Sequence, residues 1–139
     1  MDQLREKRYR DKINYIVESL EDLKEEPDNS LEKKGILYCI QTIIESLVDL
    51  ISMLIKDIGI PVKADKKNIN TLVKERNLDP TLAEKLIKAN GMRNIIVHRY
   101  NGIEEKIILG SIDKIKDLTE LWLEEIEVIL DEIKNNEKN

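Results

Sequence analysis

The chain contains no phenylalanine, one tryptophan and four tyrosines among its 139 residues. Five glycines and three prolines leave few places to turn, so the chain must be built from long elements. A single cysteine, Cys39, excludes an intrachain disulfide and any multi-cysteine metal centre. Set in an apolar helical run, it reads as a small buried hydrophobe rather than a nucleophile. No uncharged apolar run reaches the 18 residues of a membrane span, because Glu45 and Asp49 interrupt the richest stretch and Lys56 and Asp57 end it. Met1 to Lys12 is charged and lacks the apolar core of a signal peptide. The expectation is a cytoplasmic protein with no membrane segment.

What the chain has in quantity is Ile, Leu, Lys and Glu. That composition suits an all-α protein in which aliphatic stripes pack between charged faces. The length suits one domain, residues 1–139, with a real core. The net charge of −5 argues against a general nucleic-acid binder. It is unevenly spread, however. Residues 61–100 carry nine Lys and Arg against four Asp and Glu, a local +5, between flanks of −4 and −6. A basic middle can hold a phosphate backbone within an acidic protein, although helical proteins also scatter charge without purpose.

Periodicity predicts a first helix from about Leu4 to Glu26, with Ile13, Ile16, Val17, Leu20 and Leu23 at three- and four-residue steps. Pro27 to Ser30 breaks it, and Asn29 or Ser30 caps the next. The second helix, about Leu31 to Ile58, is apolar on more than one face. It is therefore the centre of a bundle, or it also buries a face in a second subunit. Glu45 and Asp49 within it have a spacing that could hold a metal, but a solvated or interface-lining face is the simpler reading. Gly59-Ile60-Pro61 ends this helix. Val62 to Asn68 reads as a polar loop, and Asn70 to Arg76 as a short helix. Asp79-Pro80 starts the next helix, with a capping carboxylate before a proline at the first helical position. After Asn101-Gly102 a short piece spans Ile103 to Leu109. A last helix runs from Ser111 or Ile112 to about Lys134, with Ile115, Leu118, Trp122, Ile126, Ile129 and Ile133 as its packing seam and a frayed tail beyond.

One decapeptide stands apart: Gly91-Met92-Arg93-Asn94-Ile95-Ile96-Val97-His98-Arg99-Tyr100, which holds the only histidine. Gly91 costs roughly 1 kcal/mol of helix propensity and leaves room for a kink or for another chain. Histidine titrates near neutrality, and arginine matches phosphate oxygens with parallel donors. Together they suffice for phosphodiester cleavage in RNA without a metal. His98 would move the proton of the 2′-hydroxyl or of the leaving oxygen, and Arg93 would stabilise charge on pentavalent phosphorus. Asn94, four residues before His98, could orient the ring or contact the phosphate. On a helix, residues five apart are rotated by about 140° and separated by about 7.5 Å. Arg93 therefore reaches round to His98, or works beside the histidine of a symmetry mate. The plainer alternatives are a dipole-stabilising or surface histidine and a core tyrosine with a satisfied hydroxyl.

Arg93 to Tyr100 resembles the R-x4-H-x-Y signature of HEPN-domain ribonuclease toxins of the HepT type. The flanking Gly91-Met92 and Asn101-Gly102-Ile103, the stretch Tyr38 to Asp49 on the second helix, and the long final helix extend the resemblance over most of the chain. It implies a small antiparallel HEPN-like helical bundle of four to five main helices. Two copies would dimerise to bring their signatures into one cleft. It also implies a metal-independent endoribonuclease without cofactor, with Arg93 and His98 catalytic and Asn94 assisting. The implied partner is a minimal nucleotidyltransferase antitoxin, MntA, which silences such toxins by transferring AMP to the motif tyrosine, here Tyr100. The bulk and negative charge of AMP beside an arginine would block phosphate binding. Two other readings stand beside it. One is a non-catalytic subunit that binds nucleotide or substrate for a nucleotidyltransferase, and the other is a bundle that only oligomerises.

Overall fold

Asp2, Asn29 and Asp79 each stand just ahead of an amphipathic run and accept a hydrogen bond from a backbone N–H that the first helical turn leaves open. Their partners are Arg5, Glu32 and Thr81, at 2.8, 2.8 and 3.0 Å. Three of the helices in the computed structural model begin there. It describes residues 1–98 and 102–138, and these form six helices and no strand. The helices are α1 (Gln3–Glu21), α2 (Ser30–Asp57), α3 (Asp65–Glu75), α4 (Pro80–His98), α5 (Gly102–Leu109) and α6 (Ile112–Lys138). The four long ones, α1, α2, α4 and α6, make the all-α bundle that the sequence led us to expect.

The broad apolar surface of α2 is explained by its neighbours. It packs against α1, α3, α4 and α6, and Ile40, Ile43, Leu50, Ile51, Leu54 and Ile55 are completely buried among them. By length and composition alone α2 could cross a membrane. Here it is instead the axis of the core. Charged pairs give the directions of the helices around it. Lys12 meets Asp49 and Arg5 meets Asp57, so α1 runs antiparallel to α2. Arg10 grips Glu127 with two bonds of 2.7 and 2.9 Å, and Glu6 pairs with Lys134, so α6 also lies antiparallel to α1.

The seam expected on α6 is buried at each of its six positions, and the Trp122 indole donates to the Leu82 carbonyl at 3.2 Å. Gly59 closes α2 as expected. With φ at +88°, it lets Ile60 N–H reach the Ile55 carbonyl at 3.0 Å, the bond of a Schellman cap.

Several boundaries differ from the periodicity reading. α1 stops at Glu21, where Asp22 caps it, and buried Leu23 is the last apolar residue before a charged run. Val17, assigned to its inner stripe, is exposed. α3 begins at Asp65, inside the stretch read as loop. Its first turn is polar, so apolar spacing gives no warning of it. Buried Asn68 holds that turn to the preceding segment, accepting from the Lys63 N–H at 2.8 Å and donating to the Lys63 carbonyl at 2.9 Å. α6 runs on to Lys138, and the Met1 ammonium pairs with Glu137 on its last turn. α4 passes through Gly91 without interruption, and a Cβ built there would meet nothing within 4 Å. Within one protomer the glycine serves neither a kink nor a close approach.

Candidate active site

The second half of α4 carries the candidate residues Arg93, Asn94 and His98. Its first half is anchored by Leu82, Ala83, Leu86 and Ala89, which face the core at three- and four-residue steps. Met92, Ile95 and Ile96 continue that face, half-buried against the core. Arg93 lies one residue beyond Met92, which turns its side chain off the apolar stripe and toward α2. There it meets Glu45. Arg93 Nε donates to Glu45 Oε1 at 2.9 Å, and Nη2 lies 2.8 Å from the same oxygen. About a third of each side chain remains exposed (32% and 33%), so the pair sits at the rim of the core and open to a ligand. Gln41, one turn before Glu45, donates to that oxygen as well, at 3.1 Å. On the other side Arg93 Nη1 donates to Asn94 Oδ1 at 2.8 Å.

His98 is exposed on the last turn of α4. Arg93 and Asn94 are thus brought into direct contact. Asn94 uses its carbonyl oxygen on the guanidinium, where the sequence left open a role on the imidazole or the phosphate. Arg99 and Tyr100 lie outside the described residues.

Next to this cluster a groove of about 210 Å³ opens between α2, α4 and α5. Leu37, Ile95, Ile96 and Ile108 form its apolar wall, and Lys34, Tyr38, Gln41, Glu104 and Glu105 its polar side. Gln41 therefore touches both the groove and the Arg93–Glu45 pair. Tyr38 is 60% exposed. Lys66, Lys67 and Lys74 on α3 and Lys85 and Lys88 on α4 are all exposed, so the basic excess of residues 61–100 is presented to solvent.

Among the described residues no three His, Cys, Asp or Glu side chains gather as metal ligands would. Glu45 and Asp49, whose spacing could have suited a cation, turn instead to Arg93 and to Lys12. Cys39 is half-buried, and that burial raises its thiol pKa and keeps it protonated.

A family model described as ribonuclease HepT-like matches residues 7–126. The chain belongs to that family. Two proteins of Archaeoglobus fulgidus, each named as a candidate RNase, are similar to it. One is 38% identical over 130 residues, covering 94% of this chain and 98% of its own length. The other is 30% identical over 119 residues, covering 85% and 90%. A candidate RNase of Methanocaldococcus jannaschii is 37% identical over 73 residues, 52% of this chain and 84% of its own. No solved structure gives a significant match. The family and these relatives support ribonuclease activity for the HepT-like chain.

Glu45 and Gln41 are the site residues that motif reasoning did not single out. The sequence carries one signal for them. Gln41 and Glu45 are four residues apart, hence on one face, in the most apolar helix of the chain. A carboxylate in that setting needs a cationic partner from elsewhere in the fold.

Proposed function

We propose that this HepT-like chain is a metal-independent endoribonuclease whose site is completed by a second copy, and that it is the toxin of a toxin–antitoxin pair. The observation that carries the reading is the arrangement on α4. A guanidinium is held at the rim of the core by Glu45 and Asn94, and five residues later an exposed imidazole closes the helix.

The reaction uses groups the chain and the RNA already have. An imidazole takes the proton of the ribose 2′-hydroxyl, the 2′-oxygen attacks the neighbouring phosphorus, and the bond to the 5′-oxygen breaks. An imidazolium returns a proton to that leaving oxygen. The products are a 2′,3′-cyclic phosphate and a 5′-hydroxyl. Arg93 bears the negative charge that gathers on the non-bridging oxygens. Two subunits would supply two histidines, one as base and one as acid, and would close the 140° between Arg93 and His98 on a single helix.

In this reading Asn94 assists by orienting Arg93. Tyr100 is the acceptor of AMP from an MntA-like nucleotidyltransferase, which silences the toxin by occluding the arginine and repelling the phosphate.

The test is incubation of the purified chain with a labelled RNA in excess EDTA. Cleavage to cyclic-phosphate ends is expected, with a loss of about 100-fold or more in Arg93→Ala and in His98→Ala. Intact RNA with the wild-type protein overturns the proposal. If the same preparation raised the activity of a partner nucleotidyltransferase, the reading as a binding subunit would replace it. For the regulatory half, the intact mass of the chain co-expressed with a neighbouring nucleotidyltransferase is the measurement. A gain of AMP mapped to Tyr100 is expected, and modification of any other residue counts against it.

A further inference from the structure

We infer that Glu45 is a positioning residue for Arg93, with Gln41 as its support, and that the same carboxylate tempers how tightly RNA binds. The inference rests on the ribonuclease reading above and adds to it residues of α2, outside the signature.

The geometry is that of a clamp. Glu45 Oε1 takes the Nε edge of the guanidinium at 2.9 Å with Nη2 at 2.8 Å, and Asn94 Oδ1 takes Nη1 at 2.8 Å. A guanidinium has five N–H donors in a rigid plane. These contacts engage one N–H on each of Nε, Nη2 and Nη1, so each terminal nitrogen keeps one further N–H to donate to a phosphate oxygen.

The long flexible arginine is thus already fixed in one orientation before substrate arrives. Preorganised donors stabilise developing charge most effectively when they need no rearrangement at the moment of reaction. Gln41 Nε2 holds the Glu45 oxygen at 3.1 Å, so the carboxylate itself is also constrained. Both supports stand on α2, whose flanking residues Ile40, Ile43, Ile44 and Leu47 are buried, so the clamp has a rigid base.

The second half of the inference follows from charge. A carboxylate at 2.8 Å from Arg93 cancels most of its field at a distance, so an approaching phosphate is attracted less than by an isolated arginine. Removing the charge while keeping an acceptor should therefore tighten RNA binding without freeing the guanidinium. Removing the acceptor altogether should free it.

The experiment compares Glu45→Gln, Glu45→Ala, Arg93→Ala and the wild type. Steady-state cleavage of a labelled single-stranded RNA gives kcat and KM, the Arg93 Nε–H signal in nitrogen-15 NMR reports on ordering, and thermal melts report folding. In Glu45→Ala, kcat is expected to fall at least tenfold, with loss of a protected Nε–H signal. In Glu45→Gln, most of kcat should return, the Nε–H signal should persist, and KM should drop severalfold.

A kcat for Glu45→Ala within twofold of wild type overturns the positioning role. So does an equal loss of kcat in both folded variants, because acceptance of the bond would then not be what matters. An unchanged or raised KM in Glu45→Gln overturns the tempering role. If Arg93→Ala cleaves as well as wild type, the ribonuclease reading of the site fails instead. The NMR signal still decides whether Glu45 holds Arg93.

Discussion

A cluster of three side chains away from the site, Tyr9, Asp57 and Arg5, shows how this protein uses single polar groups. Tyr9 is completely buried, and its hydroxyl donates to Asp57 Oδ2 at 2.6 Å, with the Arg5 guanidinium bonded to the same carboxylate oxygen at 3.0 Å and lying over the Tyr9 ring. A hydrogen bond to a charged acceptor is worth about 1.5–3 kcal/mol, so Tyr9→Phe is expected to lower stability by that order. Burial first, and the bond to Asp57 second, push the phenol well above its ordinary value near 10. The folded state thus keeps a proton that the unfolded chain releases. The stabilisation is whole below about pH 10 and is lost as the pH rises beyond it. Urea titrations from pH 7 to 11 should show the gap between wild type and Tyr9→Phe narrowing at the alkaline end. A constant gap would contradict this. Gly91 provides the complementary case. Exposed in mid-helix with open space around its Cβ position, it should accept alanine with a gain of about 0.4–1 kcal/mol in the isolated protomer. If a second copy approaches α4 closely at that point, Gly91→Ala will instead weaken self-association, which sedimentation would detect.

α3 illustrates how an element can be invisible to hydrophobic spacing. Ile69, Leu72 and Val73 supply a recognisable buried stripe, but the turn before them is Asp65-Lys66-Lys67-Asn68. What holds that turn is Asn68, satisfying both backbone groups of Lys63 from a position only 4% exposed. Asn68→Ala would strip two part-buried backbone groups of their partner and should cost about 1 kcal/mol or more. Hydrogen exchange should show the loss as faster exchange in the first turn of α3 ahead of the rest of the bundle. Uniform exchange across all helices would refute the local role. α2 is the opposite extreme, readable throughout from its Ile and Leu content because it is apolar on nearly every side. Its two acidic interruptions, Glu45 and Asp49, have different partners: one holds the arginine of the signature, and the other a half-buried lysine of α1.

For the whole molecule, the division of charge matters more than its sum. An acidic protein at −5 that binds RNA must present its lysines locally, and α3 and α4 do so. Binding of a labelled RNA should weaken steeply between about 50 and 200 mM salt, as counterion release demands. Substituting Lys66, Lys67 and Lys74 together by Gln should flatten that slope while leaving kcat at saturating RNA within a few-fold. An unchanged slope would place the RNA on another face. The proposed second copy can be tested in the same way. A melting temperature that rises with protein concentration is expected if association stabilises the fold, and an invariant one argues for a monomer.

By itself the sequence determined that the chain is helical, that α2 is apolar on more than one face, that Asp79 and Gly59 start and stop helices, and which ten residues form the candidate site. Each of those properties is local: a period of 3.6, a capping side chain, a motif on consecutive residues. Tertiary structure alone decided that Arg93 turns to Glu45, that Gln41 supports that carboxylate, and that Asn94 serves the guanidinium. Glu45 and Arg93 are 48 residues apart, and no spacing rule links positions on two different helices. Only the packing of α4 on α2 brings that cation beside the carboxylate.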